Sequence, residues 1–288
     1  MDHTHKKGNA VISARQCIAV LTAYFLMVGH DMSVRFKKRT ESLPSAKATP
    51  GKVYFFYCTC GRDFKYLVLS LKSLELLQLD CLGKVYLYID KKDPFTSAQT
   101  KELKDSFTFL LETRITRWPL AWGGVRLLLL ELAAFEEINT GLSPEDLIFK
   151  TDSDVLFISD KIFKKAVSEN HDAMGQRTSE GFMEGGSYFL KSSLVRKIVR
   201  SPNRKAIHYS STSWDVPITM APEDRAISSL VKQNTSDMVL SEYRLSGYAL
   251  RGAKKGKDIE PYSVIHFSPF YNFKKEQMFV VWDHLFSE

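Results

Sequence analysis

Leu147-Ile148-Phe149-Lys150-Thr151-Asp152-Ser153-Asp154-Val155-Leu156-Phe157 places two aspartates where one apolar run ends and the next begins. The run Asp146 to Thr151 reads as a buried strand. Side chains alternate in extended backbone, so Asp152 and Asp154 are expected to point one way and Ser153 the other. Two carboxylates on one side repel. At the carboxyl end of a strand in an open α/β sheet, where ligands bind, a hard divalent cation relieves that repulsion. Its oxygens lie at roughly 2.0 to 2.1 Å for magnesium, and it remains able to accept the oxygens of a diphosphate. For a D-x-D taken by itself, two solvated aspartates on a turn are the plain alternative.

Outward from this segment, short β-rich runs alternate with helical patterns from Lys52 onward, the mark of an α/β sheet with right-handed crossovers. Val53 to Cys58 is a first strand, and Phe64, Leu67, Val68, Leu71 and Leu74 mark the buried face of a helix behind it. Lys84 to Ile89 is a second strand ending at Asp90. Thr113 to Arg117 is a third, followed by a long helix from about Val125 to Ile138. No repeat of twenty to fifty residues occurs.

The chain has 288 residues, 44% hydrophobic and 25% charged, which fits a globular protein and gives no support to disordered, collagen-like or coiled-coil architectures. Four scattered cysteines make neither a disulfide scaffold nor a zinc finger. Of the net charge of +7, the first 51 residues hold +5, from 8 Lys and Arg against 3 Asp and Glu. The body therefore lacks the basic, aromatic-interleaved surface of a nucleic-acid binder, and nucleic acid is excluded as an expected partner.

Residues 1–51 read as a basic N-terminal segment with a short apolar helix and a linker, and 52–288 as the functional domain. Cys17 to Val28 is strongly apolar; extended back to Ala10 it reaches about 20 residues, marginal for a membrane span. No A-x-A-like cleavage site follows it. If it spans, Arg35, Lys37, Lys38 and Arg39 outnumber Lys6, Lys7 and Arg15 and place the body in the cytosol. A helix resting on a membrane surface through residues 10–39 is the alternative, its basic residues touching anionic lipid. The expected location is cytoplasmic and membrane-associated, with a lumenal type II arrangement as alternative. Asn234-Thr235-Ser236 is a glycosylation sequon that matters only in the lumen.

The hydrophobic strand, Asp152-Ser153-Asp154 and the immediate second apolar run together resemble the D-x-D element of GT-A glycosyltransferases. Further features in order over residues 52–288 extend the resemblance. It implies a GT-A, Rossmann-like α/β fold with a central mixed, mostly parallel sheet flanked by helices. It implies a nucleotide sugar as donor substrate, a UDP sugar above all, and a glycan or glycoconjugate acceptor. Tyr57, Cys58, Thr59 and Arg62 after the first strand, and Asp90 after the second, are the implied nucleotide contacts. Arg126, in the first turn of the long helix behind Gly123 and Gly124, faces the pyrophosphate, and Lys150 and Ser153 join the donor site. Glu184, Gly185 and Gly186, with Trp214 and Asp215, form the implied acceptor side.

Glu223 and Asp224 open an amphipathic helix, where acids suit the helix dipole in any case; the resemblance gives Asp224, with Glu223 as substitute, the role of general base in an inverting transfer. Retaining enzymes on the same fold share the D-x-D and a C-terminal histidine. His266, in Val264 to Pro269, is the implied third ligand beside Asp152 and Asp154, and its imidazole favours manganese over magnesium. Three readings compete. A nucleotidyltransferase is expected to carry a Gly-rich loop, but Cys58-Thr59-Cys60-Gly61-Arg62 has one glycine. An aspartyl phosphatase does not fit Asp154-Val155-Leu156. A non-catalytic carbohydrate-binding relative leaves the acids and histidine without a task.

Overall fold

The computed structural model describes residues 51–117, 119–120, 125–179, 181–200, 207–208, 215–216, 223–246, 261–267 and 275–286, all within one unit, Pro44–Glu288. The N-terminal segment and its apolar run, Gly123, Gly124 and Trp214 lie outside the described residues. Among the described residues no helix is long and apolar enough to cross a membrane.

The first half alternates strand and helix: β1 (Val53–Thr59), α1 (Phe64–Leu76), β2 (Leu82–Ile89), α2 (Ser97–Ser106), β3 (Leu111–Ile115), α3 (Val125–Asn139) and β4 (Leu147–Asp152). There follow β5 (Val155–Phe157), α4 (Lys161–Glu169), β6 (Ala173–Arg177), β7 (Met183–Lys191) and α5 (Ser192–Val199). The remainder comprises β8 (Ile207–His208), β9 (Asp215–Val216), α6 (Glu223–Asn234), β10 (Met238–Ser241), β11 (Arg244–Ser246), β12 (Val264–His266) and α7 (Gln277–Phe286). Seven strands make the main sheet in the order β10-β6-β7-β4-β1-β2-β3. β7 runs antiparallel to both neighbours and every other pairing is parallel, the mixed, mostly parallel sheet expected from sequence.

Alternation along β1 explains the two layers. Phe55 and Tyr57 face α1 and α4, where Phe55, Phe149, Phe157, Phe163 and Phe189 form a continuous aromatic core, Phe149 and Phe189 with ring centres 4.4 Å apart. Such edge-on and tilted ring pairs add about 0.5–1.5 kcal/mol each beyond their buried area. Phe56 faces the other way, against Phe135 of α3 and Tyr88 of β2.

Boundaries moved where polar residues serve as caps. Asp146, expected to open the fourth strand, instead accepts hydrogen bonds from the backbone N–H of Lys52 and Ser143, so β4 begins at Leu147. The third strand lies two residues earlier than expected because Glu112 and Arg114, which break the apolar pattern, pair with Lys84 and Glu137 on the sheet face at its edge. An open cleft of about 690 Å³ beside these pairs, lined by Tyr54, Gly83 and Tyr86 among others, lies at the amino-terminal edge of the strands, away from the acids. Helix α2 escaped the sequence reading, although Thr96 and Gln99 make a reciprocal capping box.

The acidic segment sits at the carboxyl end of β4, beside β1 and β7. Cys58 is opposite Asp152 on one side, and Thr151 is opposite Ser187 on the other. β5 then turns away to join β12 and β11 in a second small sheet, with Val155 opposite His266.

Candidate functional site

That second sheet makes a distant residue local. His266 ends β12 111 residues beyond Val155 in sequence but pairs with it across the ladder, and the N–H of Phe267 donates to the carbonyl of Asp154 at 2.9 Å. The imidazole Nε2 thus stands 3.3 Å from Oδ1 of Asp154 and 3.6 Å from Oδ2 of Asp152. One ligand atom from each of the three residues lies within 4.8 Å of the others. Convergence comes from a turn, not from strand alternation: β4 ends at Asp152, and Ser153 and Asp154 form the bend into β5.

Two carboxylates and an imidazole are donors suited to manganese or another divalent cation. Adjacent ligands in an octahedron with bonds near 2.1 Å are about 3 Å apart, and the two carboxylate oxygens facing the imidazole stand 3.3 and 3.6 Å from Nε2. One adjustment is required. Nη1 of Arg244 donates to Nδ1 of His266 at 2.8 Å, which puts the proton of a neutral imidazole on Nε2. For Nε2 to offer its lone pair to a cation, the proton must move to Nδ1 and Arg244 must draw back. Arg244 has a place to go, since it is also paired with Glu184.

A second cation closes the opposite side. Lys275 lies 3.6 Å from Oδ2 of Asp154 and donates to Oδ1 of Asp63 at 3.1 Å, joining the turn after β1 to the chain just before α7. Burial works against the Lys275 charge, but Asp154 and Asp63 outweigh it and hold its pKa up. Burial likewise opposes ionisation of Asp154, yet His266 and Lys275 keep its carboxyl below the usual range. The site is thus charged at neutral pH.

Gly185 and Gly186 are spaces for side chains. A Cβ on Gly186 would stand 2.6 Å from Nδ1 of His266 and 2.5 Å from Nη1 of Arg244; one on Gly185 would stand 2.8 Å from Oε2 of Glu223. The first glycine admits the start of α6, the second the imidazole and its guanidinium. Glu184 reaches the site through Arg244.

Placement of the other candidates follows from exposure. Tyr57 is wholly buried with its hydroxyl 3.1 Å from Ser70, and its ring belongs to the core. Cys58 is also buried, and desolvation first, then the Glu131 charge, pushes its thiol far up. Thr59 ends β1 with a buried hydroxyl oxygen that has no hydrogen-bond partner among the described residues. Arg62 and Arg126 are exposed. Oδ1 of Asp90 accepts from the N–H groups of Lys92 and Leu120, a loop-organising task. Lys150 is buried beneath the site, its ammonium donating to Oδ1 of Asp152 at 2.8 Å and to the carbonyl of Gly185. Ser153 is buried. Glu223 is buried, whereas Asp224 is half-buried, with Oδ1 accepting from the N–H of Arg225 at 2.7 Å. Asp215 opens β9, opposite His208.

Sequence reasoning missed Arg244, Lys275, Asp63 and Glu131. Glu131 had a signal: it is the single charge in the apolar run Leu127 to Phe135. Arg244 and Lys275 had none, because only the β11-β12-β5 sheet and the chain before α7 bring them to the acids.

No protein-family model matches the sequence, and no curated protein matches it. Among solved structures, the galactosyltransferase LgtC in complex with donor and acceptor sugar analogs aligns with a TM-score of 0.51 at 10% identity, covering 82% of this chain and 97% of that one. An active-site mutant of LgtC aligns at 0.48 and 11% identity, with the same coverage. The fold is that of a GT-A glycosyltransferase, a mostly parallel seven-stranded sheet flanked by helices.

Proposed function

We propose that this chain is a metal-dependent glycosyltransferase that moves a sugar from a nucleotide diphosphate sugar, a UDP sugar, to a hydroxyl of a glycan acceptor. The observation that carries the reading is the meeting of Asp152, Asp154 and His266 at the carboxyl end of β4 on a GT-A sheet. Those three residues hold the divalent cation, manganese in preference to magnesium. Bound there, it supplies Lewis-acid stabilisation of negative charge on the departing diphosphate, worth several kcal/mol.

The protein's own groups do the remainder. Thr59, Arg62, Asp90, Arg126 and Ser153 surround the donor, with Tyr57 and Cys58 shaping the wall from within the core and Lys150 orienting Asp152. Trp214 and Asp215 take the acceptor, while Glu184, Gly185 and Gly186 back the imidazole and the α6 start. Asp224 is the base: it is the more exposed of the two acids at α6, able to reach a hydroxyl arriving from solvent, and Glu223 is the substitute. It removes the hydroxyl proton as the oxygen bonds to the anomeric carbon and the bond from that carbon to the diphosphate oxygen breaks, so configuration inverts. Residues 1–51 are a separate segment that rests on anionic membrane through residues 10–39, leaving the body in the cytoplasm.

A screen of the purified protein against several nucleotide sugars, with and without manganese, tests the reading. Release of nucleoside diphosphate that requires both a sugar nucleotide and the cation is the expected result. Equal rates after chelation count against it.

A further inference from the structure

Behind Asp152 lies a knot of buried charge, one member of which, Glu131, has no task in the proposed transfer. Glu131 of α3 is fully buried; one carboxyl oxygen lies 3.7 Å from Nζ of Lys150, and the other accepts from the Tyr188 hydroxyl at 3.3 Å. Lys150 is buried in turn, and Glu223 enters from the first turn of α6. Desolvation and the neighbouring Glu223 charge push Glu131 well above the usual carboxylate range; desolvation raises Glu223 too, against the pull of Lys150. One carboxyl oxygen of each, Oε1 of Glu131 and Oε1 of Glu223, is buried without a hydrogen-bond partner among the described residues.

The arrangement bears on the cation ligand. Asp152 has two oxygens: Lys150 occupies Oδ1, which turns Oδ2 toward His266. A lysine has four rotatable carbons in its stem and holds one position only if its ammonium is held from behind. The groups that do so are the Gly185 carbonyl and Glu131. We propose that Glu131 is a positioning residue that stands behind Lys150 and keeps its ammonium on Asp152 so that Oδ2 faces the cation. The inference rests on the reading that Asp152, Asp154 and His266 hold a divalent cation.

The test is the affinity of the full chain for Mn²⁺, followed by electron paramagnetic resonance, with thermal melts as the control for folding. Glu131→Gln keeps the size and an oxygen toward Lys150, and is expected to bind within threefold of wild type. Glu131→Leu and Glu131→Asp lose the contact with Lys150 and are expected to bind at least tenfold more weakly, the range for outer-shell partners of metal ligands. Leu128→Ala removes a buried side chain from the same helix while keeping Glu131, and is expected to lower the melting temperature while leaving Mn²⁺ affinity unchanged. Wild-type affinity in both Glu131→Leu and Glu131→Asp overturns the inference, and so does an equal loss in Leu128→Ala. If Glu131→Leu does not fold, Glu131→Asp decides. Wild-type protein that takes up no Mn²⁺ overturns the cation site and this inference together, whereas failure confined to the variants overturns the inference alone.

Discussion

Gly186→Ala is the smallest change that reaches the imidazole without touching a ligand. The added methyl would sit 2.6 Å from Nδ1 of His266 and 2.5 Å from Nη1 of Arg244, with Cε1 of the ring closer still, where ordinary contact begins at 3.4 Å, so the ring or the strand must yield by about 1 Å. The guanidinium can draw back toward Glu184, but the ring is held by the antiparallel ladder to Val155. A displacement of that size moves Nε2 out of reach of a position shared with Asp152 and Asp154. Losing the orientation of one ligand in three costs about 10- to 100-fold in metal affinity, or about 1.4–2.7 kcal/mol. A Mn²⁺ titration read by calorimetry, beside a thermal melt, measures it. Gly141→Ala, whose new Cβ meets nothing within 4 Å, is the control and is expected to bind as wild type does. Unchanged Mn²⁺ affinity in Gly186→Ala would refute the argument that this glycine exists to seat the imidazole.

Other outcomes follow from the same geometry. Asp154→Ala removes a ligand and is expected to abolish manganese-dependent nucleotide-sugar turnover, measured as release of nucleoside diphosphate. Asp224→Asn keeps the start of α6 and is expected to bind donor as wild type does while losing turnover, a split visible by pairing calorimetry with product assay. Because burial raises Glu131 above its unfolded value, its proton favours the folded state most at low pH; the benefit declines as pH rises past about 4.3 and is gone above the folded pKa. Glu131→Gln has no such proton to lose, so its melting temperature is expected to gain on wild type as pH rises from 5 to 8, by at most about 1.4 kcal/mol of stability per pH unit. A constant difference across that range would contradict the assignment. Deleting residues 1–51 is expected to end co-sedimentation with anionic vesicles.

The first, second and fourth strands were legible because each is a short apolar run bounded by turn residues, and α3 because its apolar face repeats with helical period; the third, Leu111–Ile115, carries Glu112 and Arg114 and was placed two residues late. The D-x-D was legible for the same reason: acids immediately after a buried strand stand at a sheet's carboxyl edge. The physical account of that pair needed revision. Asp152 and Asp154 meet through a turn, not through the alternation of strand faces. His266 was singled out by resemblance; what places it is a three-residue antiparallel ladder to β5, too short to show as a pattern. Arg244 and Lys275 look like ordinary surface cations in the sequence, and only tertiary pairing with Glu184 and Asp63 buries them. Gly185 and Gly186 were singled out as part of the acceptor side, but the sequence does not say that Glu223, His266 and Arg244 are the groups that crowd them.

Binding of UDP to the purified chain, measured by calorimetry with manganese and after chelation, tests the central claim most directly. Tight binding that needs the cation in wild type and disappears in Asp154→Ala is the expected result. UDP held equally well without the cation, or by Asp154→Ala, would show that these three side chains do not form the donor's metal site.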